Sequence, residues 1–194
     1  MKPQLGDTIL NRYTLVSSLR EEPGIQAWKA NDRVLAKDCQ LFIITDRSAF
    51  AAIDKLAGRI AATRPDRVIP ILKYRMESDV LLIVMPVDSG QCLTDYMVDT
   101  AKPLSYSAIR SIIGECADVL REVIADTPSG IVITTDTVRV TTSGVQIADA
   151  PCATMLADTS ATDLRTDGPE RYAIRQLAAL LYTLLTRTPS QATP

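Results

Sequence analysis

The sequence predicts an α+β fold, in which a five-stranded antiparallel sheet with one inserted helix precedes a mainly helical second half. Three observations carry this prediction. Segments with strand-like alternation of apolar and polar residues dominate the first half, and a helix-like pattern interrupts them once. Two long segments with helical periodicity dominate the second half, where they are separated by a short strand-like stretch.

Three strands are predicted before the first helix. They are "RYTLVSSL" (Arg12–Leu19), "IQAWKAND" (Ile25–Asp32) and "CQLFIIT" (Cys39–Thr45), which are rich in β-branched and aromatic residues. The stretch "EEPG" (Glu21–Gly24) predicts the turn between the first two, because Pro fixes φ and Gly tolerates a positive φ. The third strand is the most apolar and is predicted to be the most buried.

A helix and two further strands complete the first half. The predicted helix runs from Ser48 to Thr63, and one of its faces is formed by the apolar residues Phe50, Ile53, Leu56 and Ile60. The segments "RVIPILKYR" and "VLLIVMPV" follow as strands. Because Pro cannot donate a ladder hydrogen bond, Pro70 predicts an edge or a bulge in the first of them.

The second half contains two long helices and a hairpin. The segment from Pro103 to Thr127 is strongly amphipathic, and Ser105 is its predicted N-cap. "VRVTT" and "VQIAD" predict a hairpin around Ser143 and Gly144. The segment "RYAIRQLAALLYTLLT" is apolar on nearly every side, which predicts a central buried helix. The tail "RTPSQATP" is predicted to be mobile.

Composition excludes several functional classes. The 194 residues contain no His, which removes Ser-His-Asp and Cys-His catalysis. The four cysteines are scattered, so a zinc site is not expected, and they are interpreted as buried reduced thiols: Cys39, Cys92, Cys116 and Cys152. A net charge of -2 argues against nucleic-acid binding. No signal core or membrane span is present, so a cytoplasmic location is predicted, with a membrane reached only through a segment outside this sequence.

The order of these elements resembles the eukaryotic-like Ser/Thr protein kinase fold. "LIVMPVDSGQCLTDYM" resembles the last strand of a kinase small lobe, the hinge and the short helix after it. "GIV…VRVTTSGVQIADAP" resembles the catalytic loop with its two small strands, and "ERYAIRQLAALLYTLLTRTPS" resembles the central helix of the large lobe. The resemblance implies a small lobe at residues 1–93, with the hinge at about 86–93, and a truncated large lobe at residues 94–194.

Within this fold the sequence resembles the intracellular pseudokinase domain of mycobacterial MviN-type cell-wall proteins. The similarity rests on "GIV", a short loop, "VRV" and then "IADAPCATM". It implies a degenerate kinase domain linked to the export of peptidoglycan precursors.

The nucleotide-binding positions of the small lobe are degenerate when they are matched to a kinase. The glycine-rich cover retains Gly24, but two of its glycine places are taken by Arg20 and Glu22. Ile44 occupies the place of the lysine that pairs the phosphates, and an aliphatic group cannot do this. The acidic partner of that lysine would fall near Asp54 or Lys55.

The catalytic loop is degenerate as well. Ile133 takes the place of the histidine, Thr137 takes the place of the metal-binding asparagine, and the loop is about three residues shorter than in a kinase. Asp136 is the only acid in the loop and is interpreted as a turn residue that caps its own backbone. Asp149 could be the metal-binding aspartate, but alone it predicts neither a metal site nor a nucleotide cofactor.

These features predict a catalytically inactive scaffold or regulatory domain. The resemblance implies phosphorylation by an upstream Ser/Thr kinase and recognition of the phosphothreonine by a forkhead-associated domain. The candidate sites lie in the loop before the last helix and in the tail: Thr154, Thr159, Thr162, Thr166, Thr186, Thr188 and Thr193. Two alternatives stay open, namely weak nucleotide chemistry through Asp149 and Asp136, and a dimerisation or allosteric module that uses the back of the small-lobe sheet.

Overall fold

The computed structural model of the chain describes residues 3–77, 79–98, 103–126, 131–153 and 168–188. Within these residues the strands are β1 (Thr8–Ile9), β2 (Tyr13–Glu22), β3 (Ile25–Asp32), β4 (Lys37–Ile44), β5 (Lys73–Glu77), β6 (Val80–Pro86), β7 (Gln91–Cys92), β8 (Val138–Thr141) and β9 (Gly144–Ile147). The helices are α1 (Arg47–Thr63), α2 (Leu93–Val98), α3 (Tyr106–Asp126) and α4 (Pro169–Thr186). The chain divides into two compact units, Met1–Ala62 with Pro70–Asp88, and Thr63–Ile69 with Ser89–Pro194.

The first unit is built on a sheet with the strand order β1-β2-β3-β4-β6-β5, in which every pairing is antiparallel. The predicted five-stranded sheet corresponds to β2–β6 and is confirmed. The two-residue strand β1 extends it at one edge. As predicted, β4 is central, and its last six residues are all buried. A strand that is covered on both faces needs such a continuous run rather than an alternating one.

The residues of β4 alternate between two buried faces of this sheet. Leu41 belongs to the core cluster of one face, together with Tyr13, Leu15, Trp28, Ala30, Cys39, Ile43, Leu82 and Val84. Tyr74 of β5 pairs with Ile83, and an added Cβ on Gly58 of α1 would lie 3.6 Å from the Tyr74 hydroxyl. Because paired residues share a face, Phe42, which also pairs with Ile83, points toward α1.

The inserted helix is confirmed, although α1 begins one residue before the predicted start. It buries all four predicted apolar residues together with Ala57: Phe50, Ile53, Leu56 and Ile60. Asp46 caps it, since its Oδ1 accepts hydrogen bonds from the Ser48 amide at 2.9 Å and from the Ser48 hydroxyl at 2.6 Å.

A partly buried ion pair fixes the open end of the β2–β3 hairpin. Arg12 donates from Nε to Asp32 Oδ1 at 2.9 Å and from Nη2 to Oδ2 at 2.7 Å. The amides of Val34 and Leu35 also donate to Oδ1. The Arg12 hydrogen bonds, aided by these two amides, lower the pKa of Asp32 to about 2.

The strand predicted across Pro70 is present as β5 and lies at an edge of the sheet, as predicted, but its predicted start is wrong, because Pro70 separates two different pairings. After it the chain forms β5, which begins only at Lys73. Before it, the chain pairs with β9 in the second unit: the Ile69 amide donates to the Ile147 oxygen at 2.9 Å, and the Ile147 amide donates to the Arg67 oxygen at 2.8 Å. A residue without an N–H group ends one ladder and allows the next to start elsewhere.

The second unit combines the sheet β7-β8-β9 with helices α2, α3 and α4. The predicted hairpin is confirmed, with Thr141 paired to Gly144 across a two-residue turn. Ser105 is confirmed as the N-cap of α3, since its Oγ accepts a hydrogen bond from the Ala108 amide at 3.2 Å. One face of α3 packs against α4 and β9.

Helix α4 is buried on one side only, so the prediction that it is buried all round is wrong. The buried side consists of Tyr172, Ala173, Gln176, Leu180 and Leu184. The other side exposes Ile174 at 65% and Tyr182 at 52%, with Leu181 and Leu185 beside them. An apolar composition on both sides does not bury a helix unless another element covers each side.

Three of the four cysteines are buried, as predicted. Burial raises the pKa of Cys39 to about 11 and that of Cys116 to about 12, and it also raises the pKa of Cys152. Cys92 is only partly buried, and its Sγ lies 3.4 Å from the Thr135 oxygen. Within the described residues, none of the helices combines the length and the sustained apolar character that crossing a membrane requires.

Candidate functional site

The tip of the β2–β3 hairpin, which the kinase resemblance matches to the nucleotide cover, is held in place by backbone hydrogen bonds. The Gly24 oxygen accepts hydrogen bonds from the amides of Thr45 at 2.8 Å and Asp46 at 3.2 Å, just beyond the end of β4. Gly24 has φ 78°, and an added Cβ would lie 2.7 Å from the Asp46 Cβ. Gly24 is therefore required for this close packing, which is a structural reason for the one glycine that the cover keeps.

The side chains at the same tip are acidic. Glu21 and Glu22 are exposed at the end of β2, and Glu22 forms an ion pair with Arg20, with 3.4 Å between Oε1 and Nε. Arg20 balances the charge of Glu22, so these three side chains carry one net negative charge at the turn that the kinase resemblance matches to a phosphate-binding loop. One net negative charge there opposes the approach of an anionic nucleotide.

Ile44 is wholly buried at the end of β4. It pairs with Ile25 of β3 on one side and with Leu81 of β6 on the other, and its exposed fraction is 0%. A lysine at this position would have to lose its hydration unless an acidic partner compensated for it. Ile44, which the sequence comparison places where a kinase has its lysine, is therefore part of the core of the first unit.

The loop at residues 131–137 is anchored to α4 through Gln176. The Ile133 amide donates to Gln176 Oε1 at 2.6 Å, and Gln176 Nε2 donates to the Ile131 oxygen at 3.2 Å. All three residues are buried, with Gln176 exposed at 9%. Sequence reasoning missed Gln176, although a single polar residue on the buried side of an apolar helix is a signal that could have found it.

Thr137, at the place of the catalytic-loop asparagine, closes the same loop on itself. Its hydroxyl donates to the Val132 oxygen at 3.0 Å and accepts from the Thr134 amide at 2.9 Å. The side chain is exposed at only 6%. Its hydrogen bonds are directed at the backbone of its own loop, so its role in the structure is to stabilise that loop.

Asp136 is exposed in the same loop and bonds to a different element from the one predicted. Its Oδ1 accepts a hydrogen bond from the Thr94 hydroxyl at 2.6 Å, and the Thr94 amide donates to the Thr135 oxygen at 3.1 Å. The carboxylate therefore ties the loop to the first turn of α2, so the interpretation that it caps its own backbone is wrong. The shortened loop brings Asp136 over α2 instead.

Asp149 follows β9 and lies next to the loop. The Ala148 amide donates to the Thr137 oxygen at 2.8 Å, which brings the predicted asparagine and aspartate positions together. Asp149 is exposed at 9% and has φ 56°, a left-handed conformation that Asp tolerates better than most residues. Among the residues that are described, no three acidic or thiol side chains come close enough to hold a metal ion.

A second anchor, also missed from the sequence, joins three segments of the second unit. Glu115 of α3 accepts hydrogen bonds from Arg67, from the Val145 amide at 2.8 Å and from the Ser111 hydroxyl at 3.2 Å. Burial alone would raise the pKa of Glu115, but the Val145 amide and the charge of Arg67 outweigh it and lower the pKa. The pair joins the pre-Pro70 segment, α3 and β9.

Two of the seven candidate phosphorylation sites fall within the described residues. Thr186 ends α4, and its hydroxyl donates to the Tyr182 oxygen at 2.8 Å. Thr188 is exposed, and its hydroxyl lies 2.7 Å from that of Thr186. The other five sites lie outside the described residues, as does most of the tail that was predicted to be mobile: Thr154, Thr159, Thr162, Thr166 and Thr193.

Comparison with known proteins supports the architecture. No protein-family model matches the sequence, and no curated protein matches it. Among solved structures, the kinase domain of PknI from Mycobacterium tuberculosis, in a cysteine-to-alanine variant, is similar with a TM-score of 0.69 and 17% identity over 100% of this chain and 83% of that chain. The chain has a protein-kinase-like fold. A second structure of the PknI kinase domain gives a TM-score of 0.69 and 16% identity over 97% of this chain and 77% of that chain.

Proposed function

We propose that this kinase-like chain is a catalytically inactive pseudokinase that acts as a signalling scaffold. The observation that carries the proposal is that the degenerate positions stabilise the fold. Ile44 is a core residue between two strands, and the Thr137 hydroxyl forms its hydrogen bonds with the backbone of its own loop. Phosphoryl transfer depends on charged groups that bind phosphates and metal ions. At these positions such groups are replaced by groups that stabilise the fold.

The closed cover supports the same proposal. Backbone N–H groups of a glycine-rich loop bind phosphates when the loop is free to cover them. Here the tip at Gly24 is hydrogen-bonded to Thr45 and Asp46. The net negative charge of Glu21, Glu22 and Arg20 beside the tip adds electrostatic repulsion toward a nucleotide.

We expect ATP with Mg²⁺ or Mn²⁺ to leave the unfolding temperature of the chain unchanged. A ligand present at one hundred times its Kd would stabilise the folded state by about 2.7 kcal/mol, which a thermal scan detects readily. The scan is paired with a radiolabel transfer assay on a generic protein substrate, in which we expect no transfer.

The variant Asp149→Asn serves as the matched control, because it removes the one retained metal-ligand candidate. Under the proposal, wild type and variant behave alike toward nucleotide. Stabilisation or label transfer that is present in wild type and lost in Asp149→Asn would instead favour the weak nucleotide enzyme.

We further propose that an upstream Ser/Thr kinase phosphorylates a threonine of this chain and that a forkhead-associated domain reads it. The support is the resemblance to the MviN-type pseudokinases, which also suggests the link to cell-wall synthesis, together with the exposure of Thr188. A phosphate adds nearly two negative charges and strong acceptor oxygens, which an arginine-lined pocket can bind. Of the two described candidates, Thr186 is the poorer one, because a phosphate there would lie at the negative end of the α4 dipole.

The phosphothreonine proposal predicts that binding of a forkhead-associated domain requires prior treatment with an active Ser/Thr kinase. Mass spectrometry identifies the modified sites, and calorimetry measures the affinity before and after treatment. Changing each mapped threonine to Ala should abolish binding, whereas changing exposed Thr8 in the first unit to Ala should not. Binding that persists after all mapped sites are changed would leave a phosphate-independent scaffold.

A further inference from the structure

Strand β5 is an exposed, regular edge of the first unit. It ends the sheet order β1-β2-β3-β4-β6-β5, and no strand of the described residues pairs with its outer side. All five of its residues, Lys73–Glu77, are exposed. Its pairing with β6 runs without a bulge, in contrast to the two register shifts between β2 and β3. A flat edge of this kind can accept another strand through main-chain hydrogen bonds.

The two sides of this edge differ in chemistry. Tyr74 and Met76 lie on the side that faces α1 and are exposed at 41% and 51%. The opposite side carries Lys73, Arg75 and Glu77, which are charged. Proteins protect edge strands with charged side chains, but they do not usually leave a large aromatic and a methionine exposed on such an edge.

We propose that the partner of β5 is β5 of a second copy of this chain, paired antiparallel about a twofold axis at Arg75. In this register Lys73 stands opposite Glu77 of the other copy, and it does so twice, once on each side of the axis. Tyr74 stands opposite Met76, also twice. Opposite charges and aromatic–sulfur contacts are both favourable as directly opposed cross-strand pairs.

The charge order of β5 makes this register specific. A parallel arrangement in the same register would place Lys73 beside Lys73 and Glu77 beside Glu77, which is unfavourable. In the antiparallel pair, the like-charge contact is confined to Arg75 at the axis. That charge is offset within each strand, because Arg75 Nη2 lies 3.0 Å from Glu77 Oε1. The proposed interaction surface is the edge of the sheet. The face of the sheet that carries Leu41, Leu82 and Val84 is not available to a partner, because these residues belong to the buried core cluster.

The test exchanges the charges of the opposed pair. In sedimentation velocity over a concentration series, wild type should show a reversible monomer–dimer equilibrium. Lys73→Glu places two acids opposite each other and Glu77→Lys places two lysines opposite each other, so each variant alone should dimerise at least about tenfold more weakly. The double variant Lys73→Glu/Glu77→Lys should recover dimerisation, and the two single variants should form a heterodimer when they are mixed.

Lys55→Glu is the matched control, since it makes the same charge change on an exposed position of α1 and should dimerise like wild type. Recovery on mixing also shows that the single variants are folded. A wild type that stays monomeric at every concentration overturns the proposal. The proposal is also overturned if both single variants dimerise as strongly as wild type, or if the two single variants do not associate when they are mixed.

Discussion

Replacing Gln176 by Leu is expected to lower the free energy of unfolding of the second unit by about 3 kcal/mol. Leu fills a similar volume, but it can neither accept from the Ile133 amide nor donate to the Ile131 oxygen. Both backbone groups are buried, so neither can turn to water instead. Each buried group that loses its partner costs about 1–3 kcal/mol.

Urea denaturation followed by circular dichroism measures this effect, because α3 and α4 contain most of the helical residues that the structure describes. The fluorescence of Trp28, the single tryptophan, reports on the first unit in the same samples. Ile174→Gln is the control, since it alters an exposed position of the same helix and should change stability by no more than about 0.5 kcal/mol. A Gln176→Leu protein with the urea midpoint of wild type would show that the two hydrogen bonds contribute little.

The elements of the fold were largely predictable because they depend on local periodicity. The repeat of Phe50, Ile53, Leu56 and Ile60 identified α1, and the apolar run of β4 identified the central strand. Prediction failed where burial depends on a distant neighbour. The composition of α4 does not reveal that only one of its sides is covered, and Pro70 does not reveal that the residues before it pair with β9.

The site was predictable only as a set of missing groups. Matching Ile44 and Thr137 to a kinase predicts which charged groups would be missing, since that prediction depends on residue type alone. Thr137 bonds within its own loop, but the way that loop is anchored to the rest of the unit depends on contacts between segments far apart in the chain. The bond from Gln176 to Ile133 spans 43 residues, and the bond from Thr94 to Asp136 spans 42. No periodicity links such pairs, so only the folded chain reveals them.

Under the proposed function, these contacts would hold a kinase-like loop in place without catalytic residues. In the loop at residues 131–137, the Gln176 amide binds the backbone at one end, and the Thr137 hydroxyl binds it in the middle. Both groups are neutral and belong to the chain itself, so these hydrogen bonds involve neither a metal ion nor a nucleotide. If the proposed function holds, a frame stabilised in this way can serve as a binding surface without phosphoryl transfer.

The second large effect is expected at Asp32, where Asp32→Asn should destabilise the first unit by about 2 kcal/mol at neutral pH. The neutral amide loses the charge-assisted bonds to Arg12 that lower the pKa of Asp32 to about 2. Because the folded-state pKa is lowered from 3.8, the contribution of Asp32 is fully present above pH 3.8 and disappears as the pH falls toward 2. Wild type and variant should therefore differ at pH 7 and converge at about pH 2.

The convergence of the two stabilities at low pH distinguishes loss of the ion pair from a packing defect caused by the substitution, which would not depend on pH. Trp28 fluorescence follows unfolding of the first unit in urea at several pH values, and the quantity compared is the difference between wild type and variant. Other carboxylates with lowered pKa values, such as Asp38 and Asp46, remain in both proteins and cancel in that difference. Asp54→Asn on α1 is the control and should track wild type at every pH. A wild type–variant difference that stays constant from pH 7 to pH 2 would mean that Asp32 stabilises the hairpin through shape rather than through its charge.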